Sequence, residues 1–239
     1  MSEERVFEYP RSRARQAAAS SCTHMSDDSP LTLPEDFSGQ VCLFPLSNNV
    51  TFPSSVQALH IFEGRYREMF EDAIKSDRLM AMATLLPGHE IDYYSRPPVA
   101  PVICVGRITR YHRNDNGTYD FLLLGLQRAR IDHEITPVRS YRRAAVQLLD
   151  EPSLADCDEV RELRRQLTAR LANHAPKLRK LLELLAKDSI SLGVLTDLVA
   201  QNLTADVAFK LELLGEIDPL VRARVLLDHF SGAPQFSSN

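Results

Sequence analysis

Residues 43–69 read LFPLSNNVTFPSSVQALHIFEGRYREM. Two short apolar runs, 43–46 and 55–61, are separated by Asn, Pro and Ser and followed by a dense patch of charge. Apolar runs of this length between turn formers predict strands. From Phe62 the period changes. Phe62, Tyr66, Met69, Phe70, Ala73 and Ile74 recur at helical spacing, while Arg67, Glu68, Glu71, Asp72 and Lys75 take the opposite side. This predicts an amphipathic helix over about 63–76 whose apolar face packs on a sheet. Arg67/Glu71 and Glu71/Lys75 are spaced for i,i+4 pairs that add a few tenths of a kcal/mol, roughly, to such a helix.

Outward from this entry, strand signals continue at 41–46, 79–86, 101–113, 118–131 and 141–149. The runs at 101–113 and 118–131 flank Asn114-Asp115-Asn116-Gly117. An Asn-Gly step tolerates the positive φ of a tight turn, so 101–131 reads as a long β-hairpin. After Pro152 the composition turns to Leu, Ala, Lys, Arg and Glu. Val160, Leu163, Leu167 and Leu171 mark one helix; past Pro176, Leu178, Leu181, Leu182 and Leu185 resume the pattern; Val194, Leu195, Leu198, Val199 and Leu203 mark another. Thr204 is the expected N-cap of a helix over 205–214 with Gly215 past its end. Asp218-Pro219 reads as N-cap and first turn of a last helix running to about Phe230. The expected organisation is a tail over 1–40, a β subdomain over 41–151, a bundle of about four or five helices over 152–231 and a flexible end over 232–239. Residues 1–40, rich in Ser, Arg, Asp and Pro, lack an apolar period that would offset their ordering entropy. Because order signals begin only near Val41, Met25 is an expected alternative start to Met1.

With 44% hydrophobic and 25% charged residues over 239 positions, the chain can bury a core. Its formal charge of −4 gives no reason to expect non-specific nucleic-acid binding. Cys22, Cys42, Cys104 and Cys157 form no C-x-x-C pair, which argues against a zinc site or disulfide scaffold and fits a reducing, cytoplasmic setting. No apolar run approaches the ~18 residues of a membrane helix, and the N-terminus lacks the apolar core of a secretory signal.

Signatures of catalysis are missing. No G-x-x-x-x-G-K-[ST] phosphate loop occurs, and Gly106, Gly117 and Gly125 are scattered over strands and a turn. The seven histidines never recur at metal-ligand spacing, so neither metal nor cofactor is expected. His60, at a strand end beside a helix start, reads as a hydrogen-bonded structural residue. Glu63, Arg65 and Glu68 read as an ion-paired or solvated face, and the cysteines other than Cys22 as buried small hydrophobes. One local excess stands out: eight arginines against five acids between Val102 and Asp150. Arg107, Arg110, Arg113, Arg128 and Arg130, interleaved with Tyr111 and Tyr119, are the candidate contacts for RNA, with outward-facing strand residues as the plainer reading.

The opening stretch resembles the N-terminal, substrate-binding domain of Lon proteases. The resemblance is carried by Phe44-Pro45-Leu46, Phe52-Pro53, Leu59-His60-Ile61-Phe62-Glu63, Arg65-Tyr66 and Met69. VGRITRYHRNDNGTYDFLLLGLQRARI resembles that family's hairpin. Lys210, Leu213, Leu214, Asp218 and Arg222 fall in the pattern of its helical tail. Ser54 departs from it, standing where Gly is common. The resemblance covers roughly 41–230 and implies an α+β fold: a PUA-like β pseudobarrel with one inserted helix, followed by an α-helical bundle. It further implies a non-enzymatic module that binds unfolded or partner polypeptide and is linked to proteolysis or protein quality control. The sequence ends where Lon continues into ATPase and Ser-Lys peptidase domains, so no catalytic residue carries over. A cleft between barrel and bundle suits such binding, with Arg65, Tyr66 and Tyr111 the first expected contacts; an RNA-binding PUA-like protein is the alternative.

Overall fold

The computed structural model describes residues 32–86, 96–136, 139–174 and 190–232, with the side chains of 173 and 174 left aside. Six strands form the β part: β1 (Gln40–Leu46), β2 (Val56–Ile61), β3 (Leu79–Thr84), β4 (Val102–Arg113), β5 (Tyr119–Glu134) and β6 (Arg142–Leu148). Helix α1 (Gly64–Lys75) lies between β2 and β3. Strands β1 and β3 form a parallel pair, in register at Leu43↔Ala81; the other pairings are antiparallel. The sheet runs β2-β5-β4-β3-β1-β6, and β6 also pairs with β5. That last pairing closes β5, β4, β3, β1 and β6 into a ring, leaving β2 outside it. Every expected strand is present.

A five-stranded ring is narrow, and its filling is correspondingly small. Alternate residues of all five strands, including Val41, Leu43, Ala81, Ala83, Ile103, Val105, Ala129 and Ala144, form one buried cluster. Leu33 and Phe37 pack against it, so order begins before Val41; residues 1–31, the rest of the expected tail, lie outside the described residues. A second cluster joins α1 to the sheet through Tyr66, Met69, Phe70 and Ala73 against Phe44, Met82, Ile108, Phe121 and Leu123.

The hairpin turns as expected. Gly117 takes φ +79° and donates to Asn114 O at 2.9 Å, while Asn114 N donates to Thr118 O at 2.9 Å; this is the three-residue loop in which the last position requires positive φ. The expected pairs on α1 do not close. Arg67 donates instead to Gly117 O at 3.4 Å, and Glu71 accepts from Tyr119 Oη at 2.8 Å. The hairpin tip draws both side chains off the helix surface.

Four further helices follow among the described residues: α2 (Asp158–His174), α3 (Leu192–Asn202), α4 (Val207–Gly215) and α5 (Pro219–Gly232). The repeat at Leu178–Leu185 lies outside them. Ser191 caps α3 by accepting from Val194 N at 3.2 Å. Asp218 caps α5 as expected, accepting from Leu220 N at 2.8 Å. Helix α4 differs: Asp206, not Thr204, accepts from Phe209 N at 2.7 Å, and Gly215 is the last helical residue. The carboxylate is the stronger acceptor for the exposed helix-end N–H groups. Helices α2, α3 and α5 pack on one another, and α4 rests on β4. Their apolar faces share one cluster with Val50, Phe52, Val102 and Cys104 of the β part.

Charge ties the two layers together at their contact. Arg128 of β5, 3% exposed, forms a two-pronged ion pair with Asp197 of α3, with Nη1 2.9 Å from Oδ2 and Nη2 on Oδ1. Its Nε donates to Leu214 O at 3.0 Å. Arg222 of α5, fully buried, donates to Thr196 Oγ1 at 3.1 Å, to Glu216 O at 2.9 Å and to the carboxylate of Glu151. Asp197 Oδ1 also lies 3.6 Å from Arg222 Nε. Glu151 reaches Arg222 only because position 193 is glycine: a Cβ there would stand 1.7 Å from Glu151 Oε1. Burial disfavours the charge of Arg128, but the hydrogen bonds and charge of Asp197 outweigh it and raise the Arg128 pKa.

The turn Phe52–Ser55 reaches into the same contact. Phe52 is fully buried and its N–H donates to Gln201 of α3 at 3.1 Å, while Ser54 N donates to Gly125 O at 2.8 Å. Ser54 holds φ +60°, a conformation that costs an L-residue about 1–2 kcal/mol.

Ser54→Gly relieves the left-handed strain, partly offset by added freedom of the unfolded chain, and is expected to raise stability by about 0.5–1 kcal/mol in urea unfolding; a lower midpoint contradicts this. Asp197→Ala leaves two buried guanidiniums short of a partner and is expected to cost about 3–5 kcal/mol in the same assay, whereas a loss below about 1 kcal/mol would show a surface-like pair.

Candidate functional site

Strand β2 gives the site its first component. It lies at the sheet edge with its alternate residues Val56, Ala58 and His60 pointing outward, and Val56 is 59% exposed. Register places Val56 beside Leu124, Ala58 beside Leu122 and His60 beside Asp120. Leu124, Leu122 and Asp120 in turn face Arg107, Arg110 and His112 on β4. A bulge at Thr109 makes this possible by shifting the register, so that Ile108 enters the α1 cluster and Arg110 turns outward. The outer face of β2, β5 and β4 is therefore an apolar strip with a cationic border.

Phe62 extends that strip. It is 65% exposed and its ring stacks on His60 at 6.1 Å. Its expected place was the buried face of α1, but Glu63 is extended, with ψ 137°, and the helix begins only at Gly64. The extended residue takes Phe62 off the helical period and onto the strand's. His60 bonds Asp120 at 2.7 Å, in keeping with a structural role, and Asn114 donates to the same carboxylate at 2.8 Å. Burial works against the charge of Asp120, but the hydrogen bonds of Asn114 and His60, with the nearby His60 and His112, hold its carboxyl below the usual range.

The second component is a cleft of about 230 Å³ at the meeting of sheet and helices, lined by Pro53, Ser54, Leu126, Val194 and Ile217 around Arg128, Glu151 and Asp197. Ile217 is 39% exposed at its mouth. The cleft expected between barrel and bundle is thus present, with the interlayer ion pairs in its wall. A larger hollow of about 400 Å³ lies beside the end of α1 and is lined by both signs of charge. There Asp72 accepts from Tyr141 Oη at 2.6 Å and from Arg139 at 2.9 Å; burial, then the bond to Asp72, pushes the Tyr141 hydroxyl up to about 12.

The residues first expected to touch a partner sit elsewhere. Tyr66 is 3% exposed and packs edge-on against Phe44, so it is core. Arg65 covers its ring at 4.6 Å and bonds Glu63 at 3.1 Å. Tyr111 is exposed but leans on Phe70, on the α1 side of the hairpin rather than on the outer face. The arginines divide as well. Arg107 and Arg110 share the outer face, Arg113 stands 6.0 Å over Tyr119 on the α1 side, Arg130 is exposed farther along β5, and Arg128 is buried against Asp197. They do not make one continuous surface, because consecutive strand residues point to opposite sides.

Cys104 is buried and Cys42 half-buried, and burial pushes both thiols up to about 12. Cys157 is exposed, contrary to expectation, because it precedes α2 and supplies only its carbonyl, to Arg161 N at 3.0 Å. Among the described residues no group of three or more His, Cys, Asp or Glu side chains is placed to hold a metal ion, and no helix is long and apolar enough to cross a membrane. The residues that sequence reading missed as parts of the site are Val56, Phe62, Glu151 and Asp197. Asp197, a lone acid within the apolar run VLTDLVA, was the available signal.

Residues 40–231 match the family described as the ATP-dependent protease La (LON) substrate-binding domain. The chain is 23% identical over 200 residues to a Lon protease of Anaeromyxobacter dehalogenans, covering 81% of this chain and 23% of that protein. It is 25% identical over 210 residues to Lon protease 2 of Sorangium cellulosum, covering 84% of this chain and 26% of that protein. It therefore spans about a quarter of the length of these relatives. In fold it is similar to the N-terminal domain of a Mycobacterium avium complex Lon protease, with a TM-score of 0.61 at 19% identity over 82% of this chain and 100% of that one. The Lon N-terminal domain protein of Xanthomonas campestris gives 0.58 at 22% identity over 82% and 99%. With its ring of strands, its inserted helix and its helical tail matched across 192 consecutive positions, 40 to 231, the chain belongs to the Lon substrate-binding domain family.

Proposed function

We propose that this chain is a non-catalytic polypeptide-recognition module, acting in the cytoplasm within proteolysis or protein quality control. The observation that carries the reading is the outward apolar strip: Val56 and Phe62, both more than half exposed, beside half-buried Leu122 and Leu124, on the same β5 strand as cleft residue Leu126. Exposed apolar area grouped in this way favours contact with other apolar chains. Family membership supports substrate recognition as the task. Contact through this strip differs from the arrangement first expected around Arg65, Tyr66 and Tyr111, and it does not draw on the divided arginines.

The reading is tested by fluorescence anisotropy with a labelled, reduced and carboxymethylated α-lactalbumin as a permanently unfolded probe, against the native disulfide-bonded form. The native chain is expected to bind the unfolded probe only. Each exposed apolar side chain contributes about 1–2 kcal/mol when buried, so the double substitution Val56→Asp, Phe62→Ser is expected to weaken binding about 10-fold or more. Failure of the native chain to bind the unfolded probe contradicts the proposed function.

A further inference from the structure

The edge of β2 carries a second kind of unused binding capacity, in its backbone. Gly125 N donates to Ser55 O at 2.8 Å and Ser54 N to Gly125 O at 2.8 Å. These bonds fix the phase of the antiparallel ladder between β2 and β5. Bonded and non-bonded pairs alternate along such a ladder, so from Ser55/Gly125 the bonded pairs are Gln57/Leu123, Leu59/Phe121 and Ile61/Tyr119. The N–H and C=O groups of Val56, Ala58 and His60 then point away from β5. No backbone partner meets them among the described residues, where β2 pairs with β5 alone.

We propose that this edge takes up an extended polypeptide as an added antiparallel strand; the proposal rests on the polypeptide-recognition reading and names how that recognition is made. Main-chain bonds to residues 56, 58 and 60 hold the client, and alternate side chains are read on the outer face. The residue order there is Val56, Ala58, His60, Phe62: apolar, small, polar, apolar. An antiparallel strand laid along it presents apolar residues to Phe62, Ala58 and Val56 and faces His60 with its fourth. Charge favours an acidic residue at that position. The outer face carries Arg110 and His112, and its carboxylate, Asp120, is already engaged by His60 and Asn114. Seven residues, 56–62, span roughly 20–24 Å in extended form, so the recognised unit is a short acidic, alternating apolar segment. Natural edges are usually protected by lysine, proline or a covering element, and 56–62 contains neither residue.

Ala58 provides the discriminating substitution. Its N–H faces the free edge, so proline there removes a donor to the client while leaving the ladder to β5 complete. The probe is a fluorescein-labelled peptide reading Val-Thr-Asp-Thr-Val-Thr-Phe between Thr flanks, titrated by anisotropy. Native chain is expected to bind it, Ala58→Ser to bind within about 2-fold of native, and Ala58→Pro about 10-fold or more weakly with its thermal midpoint within a few degrees. A peptide N-methylated at Asp and the following Val is expected to lose binding to the native chain to the same degree, which keeps the test valid should the proline variant not fold. Equal binding of the N-methylated peptide, or of the peptide by folded Ala58→Pro, overturns strand addition. If unfolded α-lactalbumin is still bound in that case, the recognition reading stands without it; if the native chain binds neither probe, both fall. A dimer seen by sedimentation that Ala58→Pro abolishes, with no peptide bound, would assign the edge to a second copy and overturn the polypeptide occupant.

Discussion

Arg128 and Arg222 are buried cations from two layers that meet the carboxylates of Asp197 and Glu151. A guanidinium taken out of water is tolerable only with its donors occupied, and here they are occupied by groups from different parts of the fold: α3, the end of α4, and the segment after β6. Sheet and helices must therefore stand in one relation to each other for the charges to be satisfied. The apolar cluster shared by Phe52, Cys104, Leu167, Val199 and Leu226 supplies attraction between the layers without direction. The ion pairs supply the direction.

The recognition surface inherits its geometry from this joint. Phe52 is pinned by Gln201 and by its burial against α3, and Ser54 and Ser55 pair with Gly125. Strand β2 starts directly after that turn, so its register on β5, and hence the outward placing of Val56 and Phe62, follows from an anchor inside the interlayer contact. Pro53 and Ser54 of the same turn line the cleft. A left-handed conformation at Ser54, costly for a residue with a Cβ, is tolerated because the turn is held from both sides.

Much of the fold was legible in local pattern. The strand runs, the Asn-Gly hairpin, α1 and the cap at Asp218-Pro219 depend on neighbours in sequence, and period and turn chemistry suffice to read them. What was not legible depends on contacts distant in sequence. Arg128 looks like any outward arginine of a strand until α3 brings Asp197 to it, 69 positions later. Tyr66 looks like a contact residue until Phe44 packs on it. Phe62 fits the helical period by number, yet one extended residue, Glu63, takes it out of the helix. The i,i+4 pairs on α1 fail through distant contacts, since the hairpin tip competes for Arg67 and Glu71.

An ionic joint of this kind makes the sheet and the helices one cooperative unit. Native-state hydrogen exchange across increasing denaturant measures this directly. The amides of Leu195–Ala200 in α3 and of Leu123 and Ala129 in β5 are predicted to exchange through a single opening of common free energy, lowered equally in both layers by Asp197→Ala. Exchange of the helical amides through a separate, cheaper opening that Asp197→Ala leaves unchanged would contradict it.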